Sequence, residues 1–405
     1  MDAKYSLGEP RCLLSREALL HNAGLLRRTV GHGVKICAIV KADAYGHGAA
    51  FVADALCNFS TDELEGPLAD ALAVADLDEA AALPDVPLPL LVLRPVENAF
   101  LGRQRAKLEA AVRGGWSLTI AHCAAADDLA RIAAACGQRA NVQVMIDTGM
   151  SRAGCSLADF DELLEKIFSL PVLRLSGIYT HFACGEVADH PYSAQQLSLF
   201  LELTSHGRGA KIPRHAAASG AIFALPSSRL DMVRPGISLY GIDPMCKPCM
   251  ERALRPVLKW TAPLVGIRSV AAGTTVGYGQ TYTTNEPARI GLLPVGYADG
   301  YLRQFSNRAV VMLQGRPAPV IGRVSMDLTT IDLTQFPQAS IGDEVTLLDD
   351  DPLSPASVYK LAEWGQTIPY EILCKIGPRV RRVVVEPPDP AAAPWRAPAA
   401  KARED

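Results

Sequence analysis

A chain of 405 residues, 49% hydrophobic and 20% charged, has the composition of an ordinary globular protein and the length for two domains or one large barrel with an added module. Its net charge of −3 gives no bulk attraction to nucleic acid or to an anionic membrane, and no apolar run is long enough to span a bilayer. The opening MDAKYSLGEPR has no apolar core behind basic residues, so no secretion signal is read and the expected compartment is cytoplasmic.

Ser15–Val30 begins with Ser15 and Glu17 ahead of apolar residues at helical spacing and reads as a capped helix. Ile36–Val40 is a continuous apolar run, the pattern of a strand buried on both faces. It runs into Lys41, and Gly46 and Gly48 then turn the chain. Seven further strands are predicted at Ala71–Ala75, Leu88–Leu93, Ser117–Ile120, Val142–Asp147, Leu173–His181, Arg214–Ala218 and Met232–Val233. Helical stretches lie between most of them, among them Asp76–Leu83, Ala124–Cys136, Asp159–Phe168 and Tyr192–His206. Strand and helix in alternation imply right-handed parallel units, and eight of them within residues 1–245 match the size of a (β/α)8 barrel.

Near residue 246 the pattern changes. Cys246-Lys-Pro-Cys249 is the only C-x-x-C; it lacks a second metal-binding pair, and the ten cysteines read as reduced thiols. Strands rich in Val, Ile and Thr follow at Pro256–Val270, Ala288–Pro294, Ala309–Leu313, Val320–Ile331 and Glu344–Leu348, with a short helix near Pro355–Trp364. Residues 386–405 are Pro- and Ala-rich and read as a disordered tail. The expected fold class is α/β: an N-terminal (β/α)8 TIM-type barrel over 1–245 plus a C-terminal mostly-β domain over 246–385.

Barrel enzymes carry their chemistry at the C-terminal ends of the strands. Taken in order, those ends offer Lys41 and Tyr45, Asp147 and Arg152, Tyr179 and His181, Ser219, then Arg234 and Gly236. A lysine at the lip of an interior strand loses solvation, which lowers an amine's pKa and frees its lone pair for Schiff-base chemistry. The loops after the last two strands are the usual phosphate seat of this fold, and here Ser219 offers a hydroxyl while Gly220, Gly236 and Ile237 offer bare backbone N–H groups. A phosphate held near a buried lysine points to pyridoxal 5′-phosphate. A sugar phosphate would fit the seat but would have less use for Lys41.

From about residue 7 to 383 the chain resembles the alanine racemases, the fold-type III pyridoxal-phosphate enzymes. The matching segments are VKADAYGHG, IDTGMSRAG, GIYTHFA, MVRPGISLYG, VGYGQTY, LPVGYADGYLR, GRVSMD and IPYE. The resemblance implies an isomerase that interconverts L- and D-alanine and supplies D-alanine for peptidoglycan. Lys41 would be the Schiff-base lysine and one acid/base group; Tyr278, supplied by a second subunit, would be the other. Tyr45, Ser219, Gly236, Ile237 and Tyr370 would hold the phosphate, His181 would pack on the pyridine ring, and Arg152 would bond the cofactor's phenolic oxygen and help bind substrate. Arg234 would face the pyridine nitrogen, where a guanidinium only donates and so leaves that nitrogen unprotonated. Met326 and Asp327 would contact substrate, Tyr297 and Arg303 would line the entry corridor, no metal is implied, and the partner would be a second copy in a head-to-tail homodimer.

Two positions depart from the family pattern. Met145 stands where the family commonly has a lysine that is carbamylated to hold the arginine, and Ala218 stands where an asparagine is usual. Two other readings are a broad-specificity racemase acting on serine or lysine and a non-catalytic pyridoxal-phosphate-binding barrel. A decarboxylase of the same two-domain plan would offer a carboxylate to the ring nitrogen and a cysteine as opposing acid, which Arg234 and Tyr278 contradict.

Overall fold

The computed structural model describes residues 9–58, 68–97 and 101–386. Apart from Glu386, the tail read over 386–405 lies outside the described residues. The first strand, β1 (Arg11–Ser15), hands the chain to helix α1 (Arg16–Val30), whose first turn is capped by the Ser15 hydroxyl accepting from the Ala18 amide at 3.1 Å.

A closed parallel barrel follows, built from β2 (Lys35–Ile39), β3 (Ala71–Val74), β4 (Leu90–Val92), β5 (Ser117–Ile120), β6 (Ala140–Met145), β7 (Leu173–Tyr179), β8 (Arg214–Ala218) and β9 (Met232–Arg234). Pairing of Ile36 with Val233 closes the ring. All eight correspond to strands expected from apolar runs, because a strand covered by helices outside and packed inside needs apolar side chains on both faces. β2, β3 and β4 end one residue short of the expected ends, and two strands end two residues short. β6 ends at Met145, and β7 at Tyr179, so Asp147 and His181 stand on the loops that follow.

The second unit holds a six-stranded sheet in the order Arg316–Pro319, Val310–Leu313, Glu344–Leu348, Leu258–Pro263, β1, Arg381–Val385. β1 therefore belongs here and not to the barrel; it pairs antiparallel with Leu258–Pro263 and parallel with Arg381–Val385. A three-stranded antiparallel sheet (Gly266–Val270, Ala288–Leu293, Thr329–Asp332) and a hairpin (Thr275–Val276 with Tyr282–Thr283) complete the strands described here.

Two expectations are corrected, and one helix is added. Pro256–Val270 is two strands, and they pair in different sheets. Val320–Ile331 is mostly a loop, turned at Gly322 with φ +73, and only Thr329–Asp332 pairs as a strand. A short helix, Pro369–Lys375, starts on a proline that suits a first helical turn. One cluster of buried side chains, including Tyr240, Trp260 and Tyr301, runs from the barrel into the second unit. It fixes that helix against the barrel mouth.

Candidate active site

Strand β2 delivers Lys41 into an unusual turn. Ala42, Asp43, Ala44 and Tyr45 all have positive φ, between 51 and 55, so one turn of backbone is left-handed without a glycine. For L-residues this costs on the order of 1–2 kcal/mol each, and the polar groups around the turn offset it. The Ala42 amide donates to Glu79 Oε1 at 2.9 Å, the Ala44 amide to the Val40 carbonyl at 2.8 Å, and the Ala49 amide to Asp43 Oδ1 at 2.7 Å. The Gly46 carbonyl accepts from Arg382 Nε at 3.0 Å, which ties the turn to the second unit. Gly46 itself has φ +81, and a Cβ there would lie 2.5 Å from the Leu373 carbonyl, so no other residue fits.

The turn opens onto a cavity of about 720 Å³ in the barrel mouth. Lys41, Tyr45, Arg152, His181, Ser219, Arg234, Gly236, Ile237 and Tyr370 all line it. Met145 and Ala218 do too. Burial, reinforced by the Arg152 charge, pulls the Lys41 ammonium below its ordinary pKa and so favours the neutral, nucleophilic amine. Asp147 takes no part: its Oδ1 accepts from the amides of Gly149, Met150 and Ser151 at 2.9, 2.8 and 3.1 Å and shapes the loop that carries Arg152. Arg152 has no hydrogen bond or ion pair among the described residues.

Arg234 is buried at 4% exposure. Its Nη2 donates to the carbonyls of Thr180 (2.6 Å) and Ala216 (3.0 Å) and approaches His181 Nδ1 at 3.4 Å. Its Nη1 donates to His215 Nδ1 at 2.7 Å. A guanidinium only donates, so His215 Nδ1 is bare and its Nε2 carries the proton, which goes to Gln143 Oε1 at 2.8 Å. Burial pulls Arg234 down to about 10, still charged at neutral pH. Burial and the Arg234 charge hold His215 neutral, well below its ordinary pKa. His181 is pushed down to about 3 by burial and by the charges of Arg234, Arg152 and Lys41. Tyr179 stacks on His215 with centroids 4.8 Å apart. Sequence reasoning did not find His215 or Gln143. Neither stands at a strand's C-terminal end, and the only signal was a histidine inside the apolar strand RHAAA.

The part of the cavity wall formed by Ser219, Gly236 and Tyr45 fits a phosphate. Ser219 Oγ accepts from the Gly236 and Ser238 amides at 2.9 and 3.3 Å, which orients that loop's N–H groups. A Cβ on Gly236 would sit 2.5 Å from the Tyr45 hydroxyl, so glycine lets bare backbone and phenol share one place. The Tyr45 and Tyr370 rings lie 5.9 Å apart. With Arg152 and Arg234 on its walls and the amine of Lys41 beside them, the cavity offers cations, a nucleophile, neutral hydroxyls and amides, a set suited to pyridoxal phosphate.

The remaining expected residues lie outside this cavity. Tyr278, on a short turn after Thr275–Val276, is 70% exposed; Met326 is 53% exposed and Tyr297 42%. Tyr297 and Met326 are neighbours, because the Tyr297 and Ala298 amides donate to the Ser325 and Met326 carbonyls at 3.0 Å. Asp327 Oδ1 accepts from Arg379 Nη2 at 2.8 Å, and Arg303 opens a short turn beyond.

Family models described as alanine racemase, N-terminal domain, and alanine racemase, C-terminal domain, match residues 14–244 and 257–384. The chain belongs to the alanine racemase family. Members of this family are pyridoxal-phosphate-dependent isomerases, and the match over 257–384 sets aside the barrel-only, non-catalytic reading. The alanine racemase of Desulfovibrio desulfuricans is 38% identical over 377 residues, covering 91% of this chain and 96% of its own. That of Chlorobaculum tepidum is 37% identical over 378 residues, covering 92% and 94%. Among solved structures, alanine racemase from Streptomyces coelicolor A3(2) superposes with a TM-score of 0.84 at 33% identity, covering 95% of this chain and all of its own. The Bartonella henselae alanine racemase, with covalently bound pyridoxal phosphate, gives 0.80 at 27% identity, covering 93% and 99%.

Proposed function

We propose that this protein interconverts L- and D-alanine with pyridoxal 5′-phosphate in the barrel mouth, working as a head-to-tail homodimer in which each cavity is completed by the other subunit. The observation that carries the proposal is the convergence of Lys41 with Tyr45, Arg152, His181, Ser219, Arg234, Gly236, Ile237 and Tyr370 on one cavity. When bound, the cofactor supplies an aldehyde and a conjugated ring that withdraws electrons from the substrate's Cα–H bond. Tyr45, Tyr370, Ser219 and the amides of Gly236 and Ile237 hold its phosphate. Arg234 presents a donor held by two carbonyls and two imidazole nitrogens, with no carboxylate to give the ring nitrogen a proton. That weakens electron withdrawal and favours return of the proton to Cα over transfer elsewhere.

Racemisation takes a proton from one face of Cα and returns one on the other, and two opposed groups do this more simply than one. Lys41 Nζ, its basicity tuned by burial, serves one face. The other falls to Tyr278 of the partner subunit; its 70% exposure and its absence from its own chain's cavity support a role across an interface. Met326 and Asp327 of that same exposed face would contact substrate, with Tyr297 and Arg303 along the entry. The product suits supply of D-alanine to cell-wall peptidoglycan in the cytoplasm.

Purified protein incubated separately with L-alanine, L-serine and L-lysine, followed by chiral chromatography, is expected to form D-alanine fastest. No D-alanine with cofactor present would overturn the proposal. Faster turnover of serine or lysine would favour the broad-specificity reading, whose support is Met145 in the cavity wall beside an unpaired Arg152.

A further inference from the structure

We infer that His47 is a positioning residue for Lys41 and Tyr45, acting through the carbonyls of the left-handed turn. His47 Nδ1 lies 2.9 Å from the Ala44 carbonyl and 3.1 Å from the Tyr45 carbonyl. Carbonyls only accept, so Nδ1 carries the proton and one N–H serves two successive carbonyls of the strained segment. The opposite nitrogen, Nε2, is buried and has no partner among the described residues. The ring stacks on Tyr240 with centroids 4.4 Å apart, and the Tyr240 hydroxyl donates to the Ile39 carbonyl at 2.7 Å. The imidazole thus joins the end of β2 to the turn on which Lys41 and Tyr45 sit.

A core-filling ring would not be built this way. Phenylalanine would stack on Tyr240 equally well and would bury no bare nitrogen, whose desolvation is unfavourable. What histidine adds is the donor at Nδ1. The Ala44 carbonyl also accepts the His47 backbone amide at 3.1 Å, so the ring reinforces that carbonyl and supplies the donor to the Tyr45 carbonyl, beside Glu79 on the Ala42 amide and Arg382 on the Gly46 carbonyl. The inference rests on the proposed cofactor role of Lys41 and Tyr45.

Asparagine places its Nδ2 where histidine has Nδ1, whereas glutamine's amide nitrogen sits nearer the Nε2 position. His47→Asn should therefore keep the donor, and His47→Gln and His47→Phe should lose it. Cofactor-stripped wild type and the three variants are titrated with pyridoxal phosphate by absorbance, and amide exchange is read over residues 41–48 of the unloaded chains. Loss of one buried donor should weaken cofactor affinity about tenfold and speed exchange similarly in the Phe and Gln variants, with Asn within about threefold of wild type. Phe behaving like wild type, or Asn as impaired as Phe, would overturn the inference. Where Phe fails to fold, the Asn–Gln comparison decides in the same way. Failure of the wild type to bind pyridoxal phosphate would sink the cofactor reading, while exchange over 41–48 would still judge His47.

Discussion

The barrel mouth and the outer face of the second unit both carry reactive side chains, in opposite surroundings. In the mouth, Arg234 and His215 are buried and tightly partnered, His181 is half-buried beside them, and all three are shifted from their ordinary titration. On the face, Tyr278, Tyr297 and Met326 lie open to water. Preorganised polar groups act strongly only where water is excluded. On the proposed function, the mouth is equipped in advance to hold and tune a cofactor, and the face would become equipped only once a partner subunit covers it.

The sharpest way to break this contrast is at Lys41. Lys41→Ala should lower racemase activity by more than about a thousandfold and abolish covalent retention of the cofactor, read by mass after borohydride reduction. Tyr278→Phe should cost roughly a hundred- to a thousandfold in activity while cofactor affinity stays within about twofold, because the phenol is not among the groups proposed to hold the cofactor. Mixed dimers of the two variants should regain part of the activity; no rescue in demonstrated heterodimers would place both groups in one chain's site. Gly236→Ala puts a methyl against the Tyr45 hydroxyl and should weaken pyridoxal phosphate binding about tenfold, measured by absorbance titration.

The smallest effect is on acid stability. His47, at about 4, and His181, at about 3, are neutral in the fold, whereas their unfolded counterparts take up protons near 6.5. Between those limits the unfolded chain binds more protons, so stability rises with pH. The thermal midpoint of the cofactor-free protein should fall by a few degrees from pH 7 to pH 5, and His47→Asn should flatten that fall.

The barrel was legible because buried parallel strands need continuous apolar runs, and eight of them stood between helical stretches. Lys41, Arg234 and the Ser219–Gly236 seat were legible because they stand at strand ends or just beyond. The left-handed turn was not: Ala-Asp-Ala-Tyr carries no glycine to mark positive φ, and its conformation is imposed by Glu79, His47 and Arg382. Arg381–Val385 was missed because two arginines precede three valines, and its partner β1 lies at the opposite end of the described chain. His215 and Gln143 were hidden inside strands, where a polar side chain is read as an exception to the core and not as part of a site.

The bond from Arg382 to the Gly46 carbonyl spans 336 residues of chain. On the ribosome, the barrel is synthesised long before that arginine leaves the exit tunnel, and β1 waits equally long for Arg381–Val385. The turn bearing Lys41 receives this tether among the last events of synthesis. The lysine proposed to bind the cofactor therefore gains its last tether only when almost the whole described chain is present, so a translation product cut short of Arg382 would lack the tether on the turn that carries Lys41.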